Sequence, residues 1–152
     1  MYLDTIQGDL LELADNGEFD VIVHGCNCFC IFGAGIAKQI RERFPAAYDA
    51  DLATEKGDAG KLGTCSYAVC PTSSGSVVVV NAYTQFGFAY GRTVVDYDAI
   101  ESCFEWVAQQ FAGERIGVPR IGAGLAGGDW PIIANIIQRE LVGEDITLVE
   151  LP

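Results

Sequence analysis

Asp20-Val21-Ile22-Val23-His24-Gly25-Cys26-Asn27, followed by Gly33-Ala34-Gly35-Ile36-Ala37, decides how the rest of the chain is read. Residues 20–24 read as a buried strand running into a loop. Gly35 to Phe44 then places Ile36, Ile40 and Phe44 on one helical face, and Pro45 ends that helix. In an α/β sheet, a strand, a glycine-bearing loop and a helix in this order put the loop at the strand's C-terminal end, where ligands bind.

The same alternation continues. Ala46 to Lys56 reads as a second helix, and Thr64 to Cys70 and Ser76 to Ala82 as strands; the run Val77-Val78-Val79-Val80 predicts burial on both faces. Asp96 can cap a helix whose apolar positions are Ile100, Cys103, Phe104, Val107, Ala108 and Phe111, with Gly113 as its stop. Arg115 to Ile121 reads as a strand leading into Gly122-Ala123-Gly124-Leu125-Ala126-Gly127-Gly128. Asp129 and Pro131 then start a helix over Ile132 to Leu141, and Ile146 to Leu151 reads as a closing strand. The pattern predicts an α/β fold, with helices on both faces of a mostly parallel or mixed sheet.

Composition narrows the function classes. The chain has 152 residues, half of them hydrophobic, which predicts one domain spanning 1–152 with a core that needs no disulfide or metal. No apolar run reaches the roughly 18 residues of a membrane span, and Met1-Tyr2-Leu3-Asp4 is not the charged start of a signal peptide, so a cytoplasmic location is expected. The formal charge of −12 argues against binding nucleic-acid polymers or anionic membranes. It still allows one small anion to be held on backbone N–H groups. The six cysteines read as reduced thiols. Cys26-x-Cys28-x-Cys30 lacks the usual zinc spacing and no second ligand cluster follows, so neither a metal nor a cofactor is expected.

The loops at 27–35 and 122–128 occupy equivalent places, each between a strand end and a helix start. Free N–H groups and the positive helix end favour phosphate there, and small residues let a diphosphate approach the backbone. The alternative is that both are only tight turns and caps. Gly122, Gly124 and Gly127 also match G-x-G-x-x-G, but that dinucleotide fingerprint normally opens a domain, and this loop comes late.

Gly8-Asp9-Leu10, Val21 to Asn27, Gly33-Ala34-Gly35-Ile36-Ala37 and Val118-Pro119-Arg120-Ile121-Gly122-Ala123-Gly124-Leu125 together resemble the macrodomain family, in the right order and over nearly the whole chain. The resemblance implies a three-layer α/β/α sandwich with a mixed central sheet, and binding of ADP-ribose. It implies that Asp9 accepts from the adenine amino group and that Asn27 holds the distal ribose. With them, Leu10, Cys26, Gly33, Ala34, Gly35 and Ile36 from the first half, and Gly122, Ala123, Gly124, Leu125, Ala126 and Gly127 from the second, make the ligand-contacting set. Asp9 as a cap residue and Asn27 as a loop brace are the structural alternatives.

His24-Gly25-Cys26-Asn27, with Phe44-Pro45 after the helix, is similar to the branch that holds ADP-ribose-1″-phosphate phosphatases and the hydrolases of acyl- and DNA-linked ADP-ribose. This implies a phosphatase acting on ADP-ribose-1″-phosphate, with an adduct hydrolase and a non-catalytic reader as alternatives. His24, the single histidine, is a candidate for proton transfer or attack on phosphorus, or else a structural residue. Asp129 can orient a water or cap the helix. Hydrolases of the branch carry a lysine after the fourth strand and often an acid in the second loop; Gln85 and Ala126 stand there in this chain. Phe86, Phe88 and Tyr90 are candidates to cover the base or sugar, and Arg92 to contact a phosphate.

Overall fold

The computed structural model describes residues 3–87, 94–124 and 126–152. In chain order the elements are β1 (Asp4–Gln7), α1 (Leu10–Asp15), β2 (Val21–Cys26), α2 (Gly35–Arg43), α3 (Pro45–Leu52), β3 (Cys65–Thr72), β4 (Gly75–Tyr83), α4 (Tyr97–Gln110), β5 (Arg115–Val118), α5 (Trp130–Glu140) and β6 (Asp145–Glu150), with a 3-10 turn at Ala59–Lys61. The strands form one sheet in the order β1-β6-β5-β2-β4-β3. Every pair is parallel except β3 with β4. The sheet is therefore mixed, as expected.

Side chains alternate across a strand, so each face of the sheet meets its own helices. Val21, Val23 and Val80 pack with Ile100, Phe104, Ile133 and Ile137 of α4 and α5. Ile22, Val77 and Val79 pack with Leu11 of α1, Ile40 of α2 and Ala47 of α3. The valine run of β4 is thus buried from both sides, and three layers result.

Proline sets two boundaries. Pro45 occupies the first turn of α3, so the chain turns from one helix directly into the next. Pro119 carries no N–H, and β5 stops at Val118 instead of reaching Ile121. Among the described residues, no helix is long and apolar enough to cross a membrane.

The candidate active site

The parallel strands deliver both glycine loops to the same edge of the sheet. The first leaves β2 after Cys26. Asn27 braces it: Oδ1 accepts from the Phe29 N–H (2.9 Å) and Nδ2 donates to the Ile31 carbonyl (3.0 Å). Lys61, buried beneath the loop, donates from Nζ to the Cys28 carbonyl at 3.1 Å and lies 4.6 Å from the Tyr83 ring centre. The Cys28 N–H donates to the Phe86 carbonyl (2.9 Å), and Phe29 meets Phe86 edge to face. The loop then enters α2 through Ala34, which provides no side-chain cap, and the first turn carries no acid. The opening N–H groups of a helix have no partner inside it, so this end leaves backbone donors that can accept an anion.

The second loop uses its glycines for two purposes. Gly122 has φ +75°, and a Cβ there would lie 2.7 Å from Val95 Cγ2. A Cβ on Gly128 would lie 2.6 Å from the Gly122 carbonyl oxygen, the acceptor of the Gly128 N–H at 2.7 Å. These two are demanded by the turn itself. Gly124 is exposed, with nothing within 4 Å of a Cβ; its lack of a side chain leaves open space.

That space belongs to a cavity of about 420 Å³, within the usual range for small-molecule sites. Asn27, Cys26, Gly33, Ala34, Gly35 and Ile36 line it from one side, and Gly122, Gly124 and Ala126 from the other. The two loops therefore face each other across one cleft. Gln85, Val94, Ile31, Pro119 and Arg120 also line it, and they were not picked out as contacts from sequence. Among the described residues, Arg120 is the one charged side chain on this lining. Its signal lay in the Pro119-Arg120-Ile121-Gly122 run, but nothing in one sequence distinguishes a cleft cation from a surface one.

Other expected contacts lie elsewhere. Asp9 is off the lining and caps α1, with Oδ1 accepting from the N–H groups of Leu11 (3.0 Å) and Glu12 (3.2 Å). Leu10 is buried in the core against Gly117. Ala123 packs on the α4/α5 core, and neither it nor Gly127 lines the cleft. Asp129 neither lines the cleft nor caps α5 with its side chain; its N–H donates to the Tyr97 hydroxyl at 3.0 Å. Phe86 is exposed and off the lining. Leu125, Phe88, Tyr90 and Arg92 lie outside the described residues. The thiols of the Cys26-x-Cys28-x-Cys30 run diverge, toward His24, the Gln85 carbonyl and the Asp51 carbonyl.

His24 requires the largest correction. β2 continues to Cys26, so residue 24 is still inside the ladder, paired with Asn81 on β4, and its ring faces the α3 layer. It is 1% exposed, packs edge-on to Phe32 and does not line the cleft. Asn81 Nδ2 donates to the Ala47 carbonyl and to Ser66 Oγ, so its Oδ1 accepts from His24 Nε2–H at 2.7 Å. Burial pushes the imidazole pKa down to about 4, with the Asn81 bond opposing. The ring is a neutral core group and is not placed to protonate a sugar oxygen or attack phosphorus.

This burial predicts acid sensitivity. Below an unfolded pKa of about 6.5 the unfolded chain takes up a proton that the native ring refuses until about pH 4. The contribution is complete above that unfolded value and is lost as pH falls through the interval. From about pH 7 to about pH 5 the loss is roughly 2 kcal/mol. Asp51 works in the opposite sense, because burial raises its carboxyl pKa. Urea midpoints of wild type and His24→Gln at both pH values separate the two: wild type should lose more stability on acidification, and equal losses would clear His24.

The class of protein that this fold and cleft define is the macrodomain, and the chain belongs to that family. It is 34% identical over 155 residues to an uncharacterized 17.5 kDa protein from the tk-vs intergenic region of Enterobacteria phage T4, covering 99% of this chain and 97% of that one. A shorter stretch of 47 residues is 43% identical to the ADP-ribose 1″-phosphate phosphatase of Aspergillus oryzae, covering 31% of this chain and 22% of that protein. Among solved structures, a protein of unknown function from Bacteroides thetaiotaomicron matches with a TM-score of 0.76 at 27% identity, covering 99% of both chains. A macrodomain protein from Streptomyces coelicolor matches at 0.68 and 25%, covering 98% of this chain and 99% of that one. Thermosipho africanus DarTG in complex with ADP-ribose shares the fold at a TM-score of 0.74 and 18% identity, covering 98% of this chain and 42% of that one. No family model matches the chain.

Proposed function

We propose that the chain binds ADP-ribose in this cleft and slowly releases phosphate from ADP-ribose-1″-phosphate without a metal. The observation that carries the binding reading is the uncapped α2 N-terminus facing the open backbone at Gly124 across one cavity. A diphosphate between them is held by N–H dipoles, which suits a protein of charge −12. The amides of Asn27 and Gln85 suit ribose hydroxyls. The macrodomain family, and a DarTG of the same fold solved with ADP-ribose, support this reading. As a first test, ADP-ribose at about 100 times its Kd should stabilise the fold by roughly 2.7 kcal/mol, seen as a raised Tm; no shift at saturating ligand counts against the reading.

The phosphatase step is supported by the short stretch shared with the fungal enzyme. Among the described residues, the lining offers no carboxylate, imidazole or lysine amine. The chemistry left is an oriented water attacking phosphorus while backbone N–H groups stabilise the phosphoryl oxygens. The P–O bond to the sugar breaks, and the sugar oxygen takes a proton from the attacking water. We expect slow phosphate release that a chelator leaves unchanged. Loss of release in chelator would contradict the metal-free step.

Removal of ADP-ribose from glutamate or thymidine adducts should be slower still. Gln85 stands where hydrolases of the branch carry lysine, and its Nε2 is tied to the Gly87 carbonyl at 2.8 Å. A neutral amide does not attack an anomeric carbon. Offering both adducts beside ADP-ribose-1″-phosphate ranks the reactions, and faster adduct clearance would favour the hydrolase. Saturable binding with no turnover of any of them would make the chain a reader.

Asp9→Ala should cost about 1 kcal/mol of stability through the lost cap. If Asp9 also accepts from the adenine amino group, ADP-ribose binding should weaken by roughly 1.5–3 kcal/mol. Asp9→Asn keeps a capping oxygen and removes the charge, so calorimetry on both variants separates the two roles. Unchanged affinity in both would free Asp9 from the ligand.

A further inference from the structure

We propose that Arg120 selects a flat heteroaromatic base at one end of the cleft, by offering it the open face of its guanidinium. The proposal rests on the binding reading above and assigns the two ends of the ligand. β4 and β5 flank β2 on opposite sides. The β4 side of the cleft presents the amide of Gln85, with Asn27 beside it at the end of β2, and amides match sugar hydroxyls. The β5 side presents Pro119 and Arg120, which match a flat ring.

Arg120 is held in place by two neighbours. Its Nε and Nη2 both donate to Glu150 Oε1, at 2.7 and 2.6 Å, so one edge of the guanidinium is occupied and its charge is already paired. Its Cζ lies 5.7 Å over the Trp130 ring centre, within cation–π reach of the indole. Glu150 takes the Nε and Nη2 edge, which leaves Nη1 and the flat of the guanidinium outside that pairing, on a residue that lines the cleft. A planar, weakly hydrated cation with a paired charge gains little from a further anion and more from a π surface laid on it. Glu150 and Trp130 are the positioning residues that hold this plane.

The test separates plane from charge. Arg120→Lys keeps the charge and loses the plane; Arg120→Tyr keeps a plane and loses the charge. The side chain is about half exposed, so both variants should fold, and a Tm for each verifies it. With ADP-ribose as the probe, stacking predicts that Lys weakens binding about tenfold while Tyr stays within about threefold of wild type. Wild-type affinity in Lys with loss in Tyr would mean a phosphate contact and would overturn the proposal. Unchanged affinity in both would overturn it too. If the wild type itself binds no ADP-ribose, the functional reading fails, and this inference with it.

Discussion

Gly124→Val should fold as stably as the wild type and bind ADP-ribose about a hundredfold more weakly. Nothing lies within 4 Å of a Cβ at this position, and its φ is not in the left-handed region. The substitution therefore meets no protein atom and strains no backbone, and stability should change by no more than about 0.5 kcal/mol. The new side chain instead adds bulk to the lining of the cleft that the α2 N-terminus also borders. Overfilling a close-fitting site costs roughly 1–3 kcal/mol, about 5- to 150-fold in affinity. Urea melts and calorimetry on one preparation check both halves. Full affinity in the valine variant would place the diphosphate somewhere else.

Gly128→Ala should do the reverse and damage the fold. The added Cβ would come 2.6 Å from the Gly122 carbonyl oxygen, 2.7 Å from Val95 Cγ1 and 2.8 Å from Ile133 Cδ1. The first is backbone within the same turn, and it cannot swing aside as a side chain would. Relief requires moving the loop away from α5, and we expect a loss of about 3 kcal/mol. Affinity for ADP-ribose should fall with it, because the displaced segment lines the cleft. A urea midpoint equal to wild type would show that the turn relaxes more freely than this packing allows.

The contrast between these two glycines marks what one sequence makes legible. The alternation of strand and helix, the two loops at equivalent strand ends, and the apolar face of α4 all follow from local pattern. Space and direction do not. Gly124 and Gly128 read alike in the chain, and only their neighbours reveal that one opens on the cleft and the other is locked into the turn. His24 was misplaced for a similar reason. If the strand ends at residue 24, the ring stands at the rim of the cleft. Two more ladder residues, to Cys26, carry it into the α3 layer beside Asn81. β1 and α1 leave little trace in the sequence, because a four-residue exposed strand and a six-residue helix carry too little periodic signal. The cap that Asp9 provides for α1 was among the readings the sequence left open. Arg120 acquires its meaning from Trp130 and Glu150, which lie 10 and 30 residues away and meet it only in the fold.

The most direct measurement is a calorimetric titration of the folded wild-type protein with ADP-ribose. An uncapped helix terminus and an open glycine loop facing one cleft predict saturable heat with one ligand bound per chain. No binding heat at about 1 mM ligand, where even a binding free energy of only about −4 kcal/mol would register, would contradict the account.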